Sequence, residues 1–134
     1  MEEKPQRLTY YVLEDAQSLP EGVRLRVTVR PHVWRPPTDV YETEEEVIVR
    51  VEIAGVRDSD FTIVLDGHYL SIRGVRLDVP ERRAYHQMEI PFGEFSTEVE
   101  LPCPINTNQV EALYSNGFLR ISLAKARPQK IPVD

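Results

Sequence analysis

Cysteine is nearly missing from this chain. Cys103 is the only one in 134 residues, so no intrachain disulfide can form, and a reducing compartment, the cytoplasm, is the simplest expectation. It stands between Pro102 and Pro104 with no activating neighbour, which reads as a structural thiol rather than a nucleophile. No apolar run approaches the roughly 20 residues that a membrane-spanning helix needs. The opening Met1-Glu2-Glu3-Lys4-Pro5 lacks a signal peptide's basic-then-apolar order. Histidine is sparse as well: His32, His68 and His86 are too far apart for a metal-ligand pattern. A glycine-rich phosphate loop and a Gly-x-Ser-x-Gly elbow are both absent. Asp39, Glu42, Asp58, Asp60, Asp66 and Glu89 are acid–base candidates in principle, but carboxylates spread over strands and turns read as solvated or ion-paired. The expectation is a protein that is not an enzyme and holds no cofactor or metal.

Positive charge is also short, with 16 Lys and Arg against 22 Asp and Glu for a net charge of −6. The deficit is concentrated. Residues 39–101 hold 15 acidic and 6 basic side chains, net −9, whereas residues 1–38 and 102–134 are net +1 and +2. An acidic middle repels nucleic acid and anionic membranes. The slightly basic ends can instead meet the acidic middles of other copies, or the acidic surface simply keeps the chain in solution.

What is present is strand pattern. Asn116-Gly117 lies between two apolar runs, a strong hairpin signal because both central residues of a type I′ turn need positive φ. After it Leu119, Ile121 and Leu123 alternate with Arg120 and Ser122; before it Val110, Ala112 and Tyr114 alternate with Glu111, Leu113 and Ser115. The same period of two marks Val47–Ile53, Phe61–Leu65 and Phe95–Leu101. Asp66-Gly67 predicts a turn into Tyr69–Arg73. Gly74–Arg83 is a long polar excursion, and 84–89 reads as a short strand. Short strands at roughly ten-residue spacing with Gly, Pro, Asp and Asn turns predict one antiparallel β-sandwich.

Ahead of this domain, Leu8, Tyr11, Val12, Ala16 and Leu19 fall near one helical face and predict a helix over 8–19, ended by Pro20 and Gly22. Val23, Leu25, Val27 and Val29 predict a strand whose other face carries Arg24, Arg26 and Arg30. Pro31, Pro36 and Pro37 then mark a stiff boundary. At the other end, Ile131-Pro132-Val133 places two apolar side chains on one side of an extended tail, a pattern that serves docking.

Five stretches in order carry a resemblance to the small heat-shock proteins built on an α-crystallin domain, of bacterial or archaeal type. They are Trp34-Arg35-Pro36-Pro37-Thr38-Asp39-Val40-Tyr41-Glu42; Val51-Glu52-Ile53-Ala54-Gly55-Val56, with Ala54 where the family usually has Pro; and Gly93-Glu94-Phe95 with Val99-Glu100-Leu101-Pro102. Ala112 to Leu119 resembles the signature Ala-x-x-x-Asn-Gly-Val-Leu, with Phe118 in the Val position. Ile131-Pro132-Val133 resembles the tail motif Ile-x-Ile/Val. One departure stands out: Thr97 and Glu98 occupy a strand where the family often has arginines, which puts an inter-subunit salt bridge there in doubt.

The resemblance implies an all-β, immunoglobulin-like antiparallel sandwich over 37–125, an N-terminal arm over 1–36 and a C-terminal tail over 126–134. It implies an ATP-independent holdase that binds unfolded or partly folded client proteins. It also implies a homodimer in which Ala84, Tyr85, His86, Gln87 and Met88 of one copy pair with the strand of Asp39, Val40 and Tyr41 in the other. Larger homo-oligomers follow when Ile131, Pro132 and Val133 enter a groove mapped to Phe61, Ile63, Leu65, Val110, Ala112 and Leu113. In the arm, Tyr10, Tyr11, Val12, Leu13 and Leu19 are the expected client contacts. Asn116 and Gly117 serve the turn, and Leu119 the core. A co-chaperone-like adaptor on the same sandwich is the alternative, but such adaptors usually lack the swapped loop and the tail motif.

Overall fold

In a computed structural model of the chain, which describes residues 4–13, 32–128 and 131, the strands lie in two sheets. In chain order they are β1 (Gln6–Arg7), β2 (Tyr11–Leu13), β3 (Thr38–Glu42), β4 (Glu46–Glu52), β5 (Phe61–Asp66), β6 (Tyr69–Arg76), β7 (Gly93–Glu100), β8 (Ile105–Ser115) and β9 (Phe118–Lys125). One sheet runs β1-β8-β9-β4-β3 and the other β2-β5-β6-β7. All pairs between these strands are antiparallel except β2 with β5.

The alternating residues meet between the sheets. Val47, Val49 and Val51 of β4, Leu119, Ile121 and Leu123 of β9, and Ala112 and Tyr114 of β8 face Ile63 and Leu65 of β5, Leu70 and Ile72 of β6, and Phe95 and Val99 of β7. Burying these side chains is the main favourable contribution to folding, and truncating one such Leu or Ile to Ala costs about 2–5 kcal/mol. Thr97, on the inward face of β7, is polar yet only 1% exposed. Its hydroxyl accepts from Arg35 Nε at 3.2 Å and shares a 3.0 Å bond with the Thr38 hydroxyl.

The predicted turn forms at Asn116 and Gly117, with φ of 53° and 81°, and pairs Ser115 with Phe118. Its tip is also tied to the end of β4, because the Ile53 N–H donates to the Gly117 carbonyl at 2.8 Å. Gly74, inside β6, is required for another reason. A Cβ there would lie 2.1 Å from the Asp60 carbonyl oxygen and 2.7 Å from the Phe95 ring.

Two expectations are corrected. The helix predicted from Leu8 is not formed over 8–13; β2 and an extended approach to it occupy those residues. Leu8, Tyr10 and Val12 also repeat with period two, and the open edges of β8 and β5 select the extended form by supplying backbone partners. Residues 14–19 lie outside the described residues, as does the strand predicted at 23–29. The short strand read at 84–89 is likewise not formed; residues 77–92 carry no strand. Among the described residues, no strand of the same chain offers that segment a ladder.

Candidate functional site

Three surfaces bear on function: the edge shared by β5 and β8, the loop over 77–92, and the outer edge of β3. At the first, both sheets end side by side, and residues 6–13 run across the opening. β1 pairs with β8 through Gln6 opposite Tyr114 and Arg7 opposite Leu113. The Leu8 N–H then donates to the Ala112 carbonyl at 2.8 Å. The chain crosses to the other sheet, where Tyr11, Val12 and Leu13 lie opposite Val64, Leu65 and Asp66. Leu8 is buried in the core, and Tyr10 and Val12 pack against it. Below them Phe61 stacks edge-on against Tyr114, with centroids 5.0 Å apart, and against Phe95 at 5.9 Å. The Tyr114 hydroxyl donates to the Ile53 carbonyl at 2.7 Å.

The residues expected to line a tail groove therefore divide. Ile63, Leu65 and Ala112 are fully buried between the sheets, whereas Phe61, Val110 and Leu113 are half-buried at the edge. Of the expected client contacts, Tyr10, Tyr11 and Val12 are half-buried and Leu13 is buried; Leu19 lies outside the described residues. In the tail, Ile131 is half-buried, and Pro132 and Val133 lie outside the described residues.

The second surface is apolar and exposed. Leu77, Val79, Tyr85, Met88, Ile90 and Phe92 are 37–65% exposed, a concentration of large apolar side chains unusual for a surface loop. Its base is held by Arg76, whose Nε donates to the Pro91 carbonyl at 3.0 Å and whose Nη1 donates to the Ala54 carbonyl at 3.3 Å. The same guanidinium sits 4.5 Å from the Trp34 ring centroid and 5.2 Å from that of Phe92. Within the loop Arg83 binds Asp78 at 3.3 Å, the Tyr85 hydroxyl at 3.0 Å and the Val79 carbonyl at 2.7 Å. Gln87 bonds Glu89, and Ala84, His86 and Met88 are exposed.

The third surface is the outer edge of β3. Among the described residues β3 pairs only with β4, and Asp39, Val40 and Tyr41 are exposed. Asp39 accepts a 2.6 Å bond from Arg50, and that hydrogen bond, ahead of the charge attraction, raises the Arg50 guanidinium above its ordinary pKa. Glu42 lies 3.4 Å from Nζ of the buried Lys125. At the far margin of the other sheet, Trp34 bridges to Phe95: its N–H donates to the Glu94 carbonyl, and its own carbonyl accepts from Ser96.

The candidate acid–base residues are dispersed. Asp60 pairs with Arg57 at 2.8 Å, Asp39 with Arg50 and Glu42 with Lys125. Among the described residues no three of His, Cys, Asp or Glu converge as metal ligands, and no helix is long and apolar enough to cross a membrane. Cys103 is half-buried against the core. The reading from sequence missed the strands at 6–7 and 11–13, although Leu8-x-Tyr10-x-Val12 was the available signal. It also missed the Arg76 clasp, for which no linear signal exists.

A family model described as the Hsp20/alpha crystallin family matches residues 39–134. The small heat shock protein C2 of Rickettsia felis is 33% identical over 97 residues, covering 71% of this chain and 63% of its own length. Small heat shock protein C4 of the same organism is 31% identical over 100 residues, covering 73% and 61%. The chain thus spans less than two thirds of the length of these two relatives. Among solved structures, heat shock protein 16.0 of Schizosaccharomyces pombe is similar with a TM-score of 0.67 and 29% identity, covering 75% of this chain and 94% of that one.

Proposed function

Because the chain belongs to the Hsp20/alpha crystallin family, we propose that it is an ATP-independent holdase, binding partly unfolded proteins and preventing their aggregation. The observation that carries this reading is the apolar surface of the loop over 77–92, where six large side chains stand 37–65% exposed beside no partner strand in the described chain, and Val79, Ile90 and Phe92 stay outside the dimer contact proposed below. Such a surface belongs against other protein. The chain divides into an arm over 1–36, the sandwich over 37–125 and a tail over 126–134, and acts in the cytoplasm as a homo-oligomer rather than as an enzyme.

The building block is a strand-swapped dimer. Residues 84–88 of one copy add to the outer edge of β3 in the other, so that the open N–H and C=O groups of Thr38–Glu42 gain a ladder. Leu77, Tyr85 and Met88 lose water in the same event. Dimers are then linked by Ile131 and Val133 at the β5/β8 edge. Each buried side chain contributes roughly 1.5–3 kcal/mol before ordering costs, and Pro132 lowers those costs by holding the tail extended. A single contact is then on the order of millimolar, and many together hold an assembly whose individual links still open.

The test is suppression of client aggregation without nucleotide, with particle size followed by light scattering. Equimolar or lower amounts of the chain should keep a heat-unfolded client in solution. Unchanged client aggregation would overturn the holdase reading and favour a binding adaptor.

A further inference from the structure

The β5/β8 edge is already occupied within the chain, and two occupants cannot use the same backbone groups. We propose that residues 6–13 are an internal competitor for the edge, so that docking of another copy's tail and exposure of the arm's apolar face are one event. The inference rests on the tail reading above and adds a condition to it.

The physical basis is the double pairing of the segment. Arg7 takes a ladder position on β8, the Leu8 N–H uses the Ala112 carbonyl, and Tyr11 to Leu13 take the ladder positions on β5. Leu8 and Val12 fill the opening between the sheets with Tyr10 between them. The tail carries the same chemistry, since Ile131 and Val133 are two residues apart, as are Leu8 and Tyr10, or Tyr10 and Val12. An extended segment with that spacing places both side chains on one face.

The hold is short enough to yield. β1 and β2 are two and three residues long, and β1 is exposed along its length. The ion pair of Arg7 with Glu111, at 3.4 Å, leaves the two side chains 77% and 48% exposed, where solvent screens it. When the segment leaves, Leu8, Tyr10, Tyr11, Val12 and Leu13 lose their cover together. Four of these are the arm residues expected to meet clients. A copy whose edge has accepted a tail is therefore a copy whose arm is free to bind.

The test uses the full chain carrying Ile131→Ser and Val133→Ser, which silences its own tails, and a fluorescent peptide of residues 126–134 as probe. Adding Leu8→Ser and Tyr10→Ser should tighten peptide binding by about tenfold, the factor set by an arm that holds the edge roughly ten to one. Without the arm substitutions, saturating peptide should raise hydrogen exchange at the amides of 8–13, the Leu8 amide first. This second measurement does not depend on how the substituted arm folds. Equal peptide affinity with and without the arm substitutions, together with unchanged exchange at 8–13, overturns the competition and leaves tail docking standing. Absence of peptide binding to either form overturns tail docking itself, and the competition with it.

Discussion

The guanidinium of Arg76 lies 4.5 Å from the ring centroid of Trp34, joining the end of β6 to the segment that leads into β3. The same group donates to Pro91 and Ala54, so one side chain gathers both stems of the 77–92 loop and the turn after β4. A cation over an aromatic face contributes about 0.5–1 kcal/mol when partly solvated, and hydrogen bonds from a charged donor add to that. Replacing Arg76 by Met keeps the stem and removes all of these. We expect a loss of about 1–2 kcal/mol in urea unfolding and faster protease cleavage within 77–91. Unchanged stability and cleavage would show that the loop holds itself.

Two glycines separate strain from collision. Gly67 has a φ of +58° and nothing within 4 Å of where a Cβ would stand, whereas a Cβ on Gly74 would come to 2.1 Å from the Asp60 carbonyl. Gly67→Ala should cost about 1 kcal/mol from backbone strain alone. Gly74→Ala should cost about 3 kcal/mol or more, since main chain and the Phe95 ring must both move. Denaturant midpoints of the two variants check the order; equal midpoints would contradict it.

Thr97 holds a small polar network inside the sandwich. The Thr38 hydroxyl donates to the Pro36 carbonyl at 2.9 Å, so its one proton is used and the Thr97 hydroxyl must donate to Thr38 while accepting from Arg35. Thr97→Val keeps the shape and removes both roles, with an expected cost of about 1–3 kcal/mol. Thr38→Val added to it should cost less than the sum of the single changes, because the two share a bond. Additive thermal or urea data would show that the 3.0 Å contact contributes little.

Deletion of 131–134 should reduce the assembly to dimers under light scattering while the sandwich keeps its unfolding midpoint. On the proposed tail docking, the deletion removes both anchors, Ile131 and Val133, and linkage through many weak contacts collapses when each is lost. An unchanged particle size would mean that another surface joins the dimers.

Much of the sandwich is written locally. Asn116-Gly117 needs no distant partner to favour its turn, and the strict alternation through Leu119–Leu123, with the period of two of Val47, Val49 and Val51, can bury one face only as a strand. The Ile-x-Val spacing of the tail and the apolar content of the arm are likewise legible in the chain itself. The tertiary structure decided what local pattern leaves degenerate. Residues 8–13 satisfy a helical and an extended period at once, and the open edges of β8 and β5 settle the choice by pairing with Arg7, Leu8 and Tyr11. Gly74 is unreplaceable only because Asp60 and Phe95 arrive beside it from elsewhere in the chain, and Arg76 becomes a clasp only once Trp34, Ala54 and Pro91 converge on it. Period and turn chemistry act between neighbours in sequence and so determined the strands; edge pairing and close approach act between residues far apart, so only the folded chain could assign them.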